Sequence, residues 1–362
     1  MLSDKKKIST RQIIIIFIVM VYSPAIRVIP AYTSEQAKQA AWITPLIAFL
    51  GLLIIFYGLQ KTFQKYKDAS LMEVIYDIIG TFTGKIIVSA YIVWITLLAA
   101  LYVRYYSQRI VTSIFPNVDI RLFIIVMLVF VAYTSRYGVV VLARMNEIIF
   151  TIIAAIFVIF VLFLSPKLEI QNLTPISYLD IMPVLKGSLV IIAVWVYAIF
   201  LFMLSDQIND KENIKKFGIQ ASFFLLVINV LIIAVTVGTL GHTVSARMPL
   251  PFLSAVKQIS FLDTLEKIES ILVVTWIASD FTLISILLYV ILNMVKSVFN
   301  FQDTKPFINV LCLFLFILSL YLTESSFELA EFSTKIALPV NLILGLAIPV
   351  LLFIVGKVRK KI

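Results

Sequence analysis

Ten apolar stretches, most of them near 20 residues long, follow one another from about Ile8 to Val358 with short charged segments between them. A bilayer core takes roughly 20 apolar residues of helix to cross. The pattern therefore predicts an all-α integral membrane protein with ten transmembrane helices, near 10–31, 38–59, 84–112, 119–136, 145–164, 184–204, 216–240, 269–296, 306–322 and 337–356. With 362 residues committed to ten spans, no room is left for a large soluble domain, and no linker or low-complexity tract divides residues 1–362, so one transmembrane domain is expected.

Two connections carry a pattern of their own. Between Gln60 and Gly84, Leu71, Val74, Ile75, Ile78 and Ile79 recur at helical spacing, which predicts an amphipathic helix lying on the membrane face. From Gly241 to Ile268, Pro249 and Pro251 end the preceding helix, and the apolar residues after them predict an interfacial or re-entrant segment. The connection 165–183 holds Pro166, Pro175 and Pro183 and is expected to be extended.

Composition agrees with the spans: 61% of residues are hydrophobic and 14% charged, against roughly 25% charged in soluble domains. The mean hydropathy is +1.05. A net charge of +10 would suit nucleic acid, but its distribution points elsewhere. With the N-terminus inside, 19 of the 30 basic residues fall in inner segments, and Arg27 and Arg104 lie within spans. That excess is the positive-inside bias, and it places both termini in the cytoplasm. Lys5, Lys6, Lys7 and Arg11 precede a first span with no small-residue cleavage site after it, which suggests a retained helix rather than a signal peptide.

The chemistry on offer is sparse. Cys312 and His242 are each alone, which excludes cysteine or histidine metal clusters, intramolecular disulfides and histidine-paired nucleophiles. No nucleophile elbow, phosphate-binding loop or metalloprotease motif is present, so no enzyme activity, cofactor or metal is expected.

Ten helices divide into two sets of five with opposite orientation, the plan of inverted-repeat transporters. In that plan the first helix of each repeat is broken at mid-membrane beside the ligand. The first span meets the expectation at Tyr22, Ser23, Pro24 and Ala25, where Pro24 removes a backbone donor. An ordinary proline kink would look the same. The sixth span has small Ala193 and Ala198 near Trp195 and Tyr197, but no central Gly or Pro.

Charges inside a membrane need partners. Arg27 on helix 1 and Asp280 on helix 8 either pair beside the site, or Arg27 reaches the outer interface while Asp280 bonds Thr275, Ser279 or water. Trp276, Asp280, Leu283 and Leu287 share one face of helix 8, with Ser279 and Thr282 alongside. Trp94, Leu98 and Leu101 share a face of helix 3, continued by Arg104. Such stripes serve helix packing as readily as ligand contact.

Several segments resemble one family. They are "RVIPA" ending at Pro30-Ala31, "GVVVLARMNEI" from Gly138 to Ile148, and "MPLPFLSAVKQISFL" followed by "LEKIESILVVTWI" with Glu266, Glu269, Ser270 and Trp276, together with the basic C-terminal tail. The chain resembles, over essentially its whole length, the integral-membrane B subunit of GerA-type spore germinant receptors. That group is a branch of the amino acid–polyamine–organocation transporter superfamily. The resemblance implies the LeuT-like fold and a site for an amino acid or similar small nutrient between helices 1, 3, 6 and 8. It also implies membership of a receptor in the spore inner membrane with a larger A-type membrane subunit and a C-type lipoprotein. By position, the helix 1 break falls on Ser23, Pro24 and Ala25, the helix 3 wall on Trp94 and Leu98, and the helix 8 wall on Thr282, Leu283 and Leu287. The chain departs from the family in having Ser23 and Pro24 where glycines are usual at the break, and Ala198 where many members carry a helix 6 glutamate. A proton- or cation-coupled amino acid permease is the alternative function; membrane lipid is a partner under either reading and nucleic acid under neither.

Overall fold

The computed structural model describes residues 7–259, 269–323 and 325–362, without the side chains of residues 269 and 326. Glu266, and the side chain of Glu269, lie outside the described residues. Among these residues the ordered structure is helical apart from a single bridge between Ile8 and Ile208.

The first helix, α1 (Thr10–Ala37), starts with a capping box in which Ser9 and Gln12 satisfy each other's backbone N–H. It runs as one element through Pro24 and Pro30 and ends at Ala37, past the exit expected near residue 31. The second, α2 (Thr44–Lys65), follows a 3-10 turn over Lys38–Ile43. Then comes α3 (Leu71–Ile79), short and strongly two-faced, capped by Ser70 and Glu73 and ended by Gly80 at φ 91°. Its buried residues Met72, Val74, Ile75 and Ile78 match the amphipathic expectation.

The long helix α4 (Thr81–Ser113) follows, then α5 (Ile120–Ser135) and α6 (Val139–Leu164). The connection after α6 is not extended: 3-10 turns occupy Ser165–Lys167, Ile170–Leu173 and Tyr178–Asp180. Pro166 opens the first of these and the Ser177 side chain caps the third, so each proline-rich stretch curls locally.

The sixth crossing is two pieces, α7 (Ile181–Trp195) and α8 (Tyr197–Phe202), meeting at Val196. Next come α9 (Ile214–Leu240), α10 (His242–Arg247), α11 (Pro251–Val256), α12 (Glu269–Phe299) and α13 (Phe307–Tyr321). The last crossing combines α14 (Ser326–Phe332), α15 (Leu338–Leu342) and α16 (Ile348–Val358), separated by π-helical turns over Ser333–Ala337 and Ile343–Ala347.

Among the described residues, seven stretches are long and apolar enough to cross a bilayer; one of them, Thr10–Lys65, contains both α1 and α2, and α5 and α13 add two shorter apolar helices. Ten crossings follow. Large apolar side chains such as Ile54, Val129, Leu162 and Leu313 stay more than half exposed around the bundle. In water that belt would be a liability, and against lipid it is the required surface.

Both described ends of the chain lie at one end of the bundle. Ile8 pairs with residues 207–209, Ser205 and Lys211 donate to the Ala69 carbonyl, and Lys65 donates to the Lys360 carbonyl. The helices pack so that α1 lies against α7 and α12, and α4 lies against α12. This brings the first, third, sixth and eighth crossings to one line through the core.

Candidate ligand site

At that line the backbone of α1 is opened by a side chain from α12. The Ser23 N–H donates to Ser279 Oγ at 2.9 Å, and the Ser279 hydroxyl donates to the Val19 carbonyl at 2.6 Å. Val19 and Ser23 are an i, i+4 pair, so the hydroxyl sits within a rung of the helical ladder and satisfies both of its ends. Pro24, the next residue, has no N–H to return to its own rung. Thus α1 keeps its helical course through Pro24 instead of breaking there, and the hydroxyl marks the weak point. The sixth crossing is interrupted for one residue at Val196, where the backbone stays near helical and tightens to an i→i+3 bond between Val196 and Ile199, and neither Gly nor Pro signals it. Gly345 in the second π turn packs so tightly on Val196 that a Cβ there would collide with it.

The ion pair at this level differs from the expected one. Asp280 pairs with Arg109 of α4, not with Arg27. Arg109 also donates to Ser23 Oγ at 3.0 Å and lies 5.1 Å from the Trp276 ring centroid. Its guanidinium therefore ties α1, α4 and α12 together. The reason is one of reach: Arg109, one turn from the end of α4, is 7% exposed and points inward along the helix face that meets α12. Arg27 does not snorkel to an interface either. It is 6% exposed, with its guanidinium carbon 3.2 Å from the Tyr105 ring centroid and 5.6 Å from that of Tyr102.

A chain of polar contacts continues from those tyrosines. Tyr105 donates to the Leu329 carbonyl at 2.8 Å and meets Ser333 Oγ at 2.6 Å. Tyr102 and Tyr197 share a hydrogen bond of 2.9 Å, Asn341 Nδ2 donates to Tyr197 at 3.3 Å, and Trp94 Nε1 donates to Asn341 Oδ1 at 2.9 Å. Asn341 lies between the two π turns, a distortion that often marks functional positions.

The residues singled out from the sequence divide accordingly. Ser23 and Asp280 sit within the polar centre, Pro24 and Ala25 are buried beside it on α1, and Tyr22 meets Thr275 Oγ1 at 3.4 Å. Trp94 joins the chain through Asn341. Leu98, Leu283, Leu287 and Ala198 are buried in the main apolar core. Trp195 is buried at the α7 end with its Nε1 lacking a partner among the described residues. Thr282 turns away, donating to Asn146 Oδ1 of α6 at 2.8 Å.

Arg109, Tyr102, Tyr105 and Asn341 were missed. For Arg109 the available signal is its place in the long apolar run 84–112. Beside Arg109 and Asp280 a cavity of about 10 Å³ remains, lined also by Tyr106, Val273 and Trp276. It is far too small to admit a nutrient without rearrangement of its lining. Among the described residues no group of three His, Cys, Asp or Glu is placed to hold a metal.

This helix arrangement is that of LeuT-fold transporters. The structure superposes on the sodium-coupled sialic acid symporter in its substrate-bound outward-open state with a TM-score of 0.68, covering 94% of this chain and 79% of that one at 14% identity. It matches MhsT in complex with L-phenylalanine at a TM-score of 0.69, covering 94% and 88% at 12% identity.

The sequence narrows the class. The profile of the family described as Spore germination protein (Spore_permease) matches residues 7–328. Spore germination protein KB of Bacillus subtilis (strain 168) is 25% identical over 99% of this chain and 96% of its own. Spore germination protein YndE of the same organism is 27% identical over 100% and 99%. The chain belongs to the spore germination protein family, as an integral membrane protein on a transporter-type fold.

Proposed function

We propose that the chain is the ligand-sensing membrane subunit of a spore germinant receptor. It takes up a small nutrient, an amino acid or a similar molecule, between helices 1, 3, 6 and 8, and acts with an A-type membrane subunit and a C-type lipoprotein. The basic residues at the end holding Ile8 and Lys360 make that end the cytoplasmic, spore-core side.

The observation that favours sensing over cation-coupled uptake is the place of Arg109. Its guanidinium lies between Ser23 of the opened first helix and Asp280 of the eighth. A carboxylate at such a point attracts a mobile cation, and a coupled transporter needs that cation to arrive on one side and leave on the other. A cation tethered to α4 neutralises Asp280 permanently and cannot be released. Ligand energy is then available for shifting a conformational equilibrium, which requires tighter binding to one state than to the other.

The test is germination of spores lacking all other receptors, with and without this gene, across a panel of amino acids, hydroxy acids and sugars. A nutrient response that disappears on deletion, with no uptake of that labelled nutrient by vesicles holding the chain, is the expected result. Concentrative uptake driven by a proton or sodium gradient would replace the reading with that of a permease.

A further inference from the structure

Three arginines are buried on α1 and α4; Arg104 lies toward Glu328 of the last crossing, which leaves two guanidinium groups, Arg27 and Arg109, with one carboxylate, Asp280, among the described residues of the centre formed by α1, α4 and α12. One positive charge is left over, and it belongs to Arg27. Arg109 and Asp280 neutralise each other. Arg27 is buried, takes part in no ion pair with a described residue, and its Nε has no hydrogen-bond partner. What holds it is the ring face of Tyr105, with Tyr102 behind. A ring face attracts a cation through its quadrupole, but it leaves the planar fork of N–H donors open at its edge. A second open valence belongs to Asp280, which Arg109 joins to Ser23 one helical turn before Arg27: its Oδ1 is buried without a partner.

We propose that Arg27 binds the carboxylate of the nutrient, and that Asp280 Oδ1 accepts a hydrogen bond from an N–H or O–H group on the same molecule. The ligand class is then a small 2-amino or 2-hydroxy acid. This rests on the sensor reading above for the idea that a ligand enters here at all. A guanidinium fork matches the two oxygens of a carboxylate, and a buried charge without a counter-ion is unfavourable inside a membrane protein. A sugar or polyol supplies hydroxyl groups but leaves the charge on Arg27 uncompensated. A halide compensates that charge but offers no donor to Asp280. Because the cavity is small and the Tyr105 ring covers the Arg27 guanidinium, binding must accompany movement of Tyr105 off Arg27, and that tyrosine is held to the last crossing by Leu329 and Ser333. Ligand entry thereby reaches α14 and the first π turn.

The experiment uses the full chain in lipid nanodiscs and follows tryptophan fluorescence and thermal stability during titration. The probes are L-lactate, L-alanine and a wider set of 2-hydroxy and 2-amino acids, together with L-alaninamide, D-glucose and sodium chloride. At least one acid is expected to bind, its amide at least tenfold more weakly, and glucose and chloride not at all. Arg27→Gln should weaken the acid at least tenfold, and Arg27→Lys by less. The acid-to-amide comparison on the unaltered chain needs no variant, so it holds if Arg27→Gln fails to fold. An amide that binds as well as its acid, a chloride signal that depends on Arg27, or no response to any acid would each overturn the assignment. A glucose response unaffected by Arg27→Gln would overturn it and leave the sensor reading standing. Uptake of the acid into vesicles, lost in Arg27→Gln, would remove the sensor reading and leave the role of Arg27 intact.

Discussion

Replacing Asp280 by Asn turns a neutral pair into two buried guanidinium groups with no carboxylate between them. Arg109 would keep Ser23 Oγ and the Trp276 ring, neither of which carries a countercharge. Removing one member of a buried pair is destabilising by about 3–5 kcal/mol, because the other charge stays desolvated. At about 2.1 cal/mol/K of unfolding entropy per residue, a chain of 362 residues has roughly 0.76 kcal/mol/K at its midpoint. The melting temperature of D280N is therefore expected to fall by about 4–7 °C, measured on the full chain in nanodiscs. The paired change R109Q/D280N removes both charges, so it should recover more than half of that loss, whereas R27Q/D280N should not recover in the same way. A D280N shift below about 1 °C, or losses in R109Q and D280N that simply add in the double variant, would refute the pairing and the magnitude together.

Other consequences are as direct. Ser279→Ala leaves the Ser23 N–H and the Val19 carbonyl to find each other across an opened rung; a loss of about 1–3 kcal/mol is expected, with faster hydrogen exchange at the Ser23 amide, and unchanged exchange would count against the insertion. Gly345→Ala drives a methyl group into Val196, and overpacking of this kind is worth about 1–3 kcal/mol; a variant as stable as the parent would mean that the two elements separate easily. At the end of the bundle that holds both described chain ends, hydrogen bonds from the Tyr66 hydroxyl and Lys361 hold the Asp77 carboxyl below the usual carboxylate range. A depressed folded-state value contributes stability that is present above the ordinary aspartate range, about pH 4, and is lost as pH falls through the lowered value. Protection of the C-terminal tail from carboxypeptidase should accordingly fade only in strong acid and be weaker at every pH in D77N, and a tail equally protected in D77N would sink the idea. Burial and the same carboxylate push the Tyr66 hydroxyl up to about 12, so the Tyr66–Asp77 contact should survive to at least pH 10, read by tyrosinate absorbance in a Tyr66→Phe difference spectrum.

Much of the architecture was written in the one-dimensional pattern, because the bilayer is a solvent that acts on every residue alike. Where the chain crosses, the two-faced helix of residues 71–79 and the crowding of basic side chains at one end are all sums of local transfer preferences. The demand that Asp280 find a cation was legible too, since a lone carboxylate in a span is untenable. Its answer was not. Arg27 and Arg109 are equally suitable by type, and which of them meets Asp280 depends on how α1 and α4 are rotated against α12, a contact spanning 171 residues of sequence. Rotation is set by the packing of whole helix faces, which hydropathy does not encode. The break at Val196 has the same origin: no local residue demands it, and the close approach of Gly345 from the last crossing goes with it. In α1 the sequence announced a weak rung at Pro24, but nothing local announced that Ser279, 256 residues after Ser23, places a hydroxyl in the neighbouring rung where the Ser23 amide uses it. The solvent decided which segments enter the membrane, and the tertiary structure decided which of their polar groups meet, because a hydrogen bond needs a partner within about 3 Å and only packing supplies one.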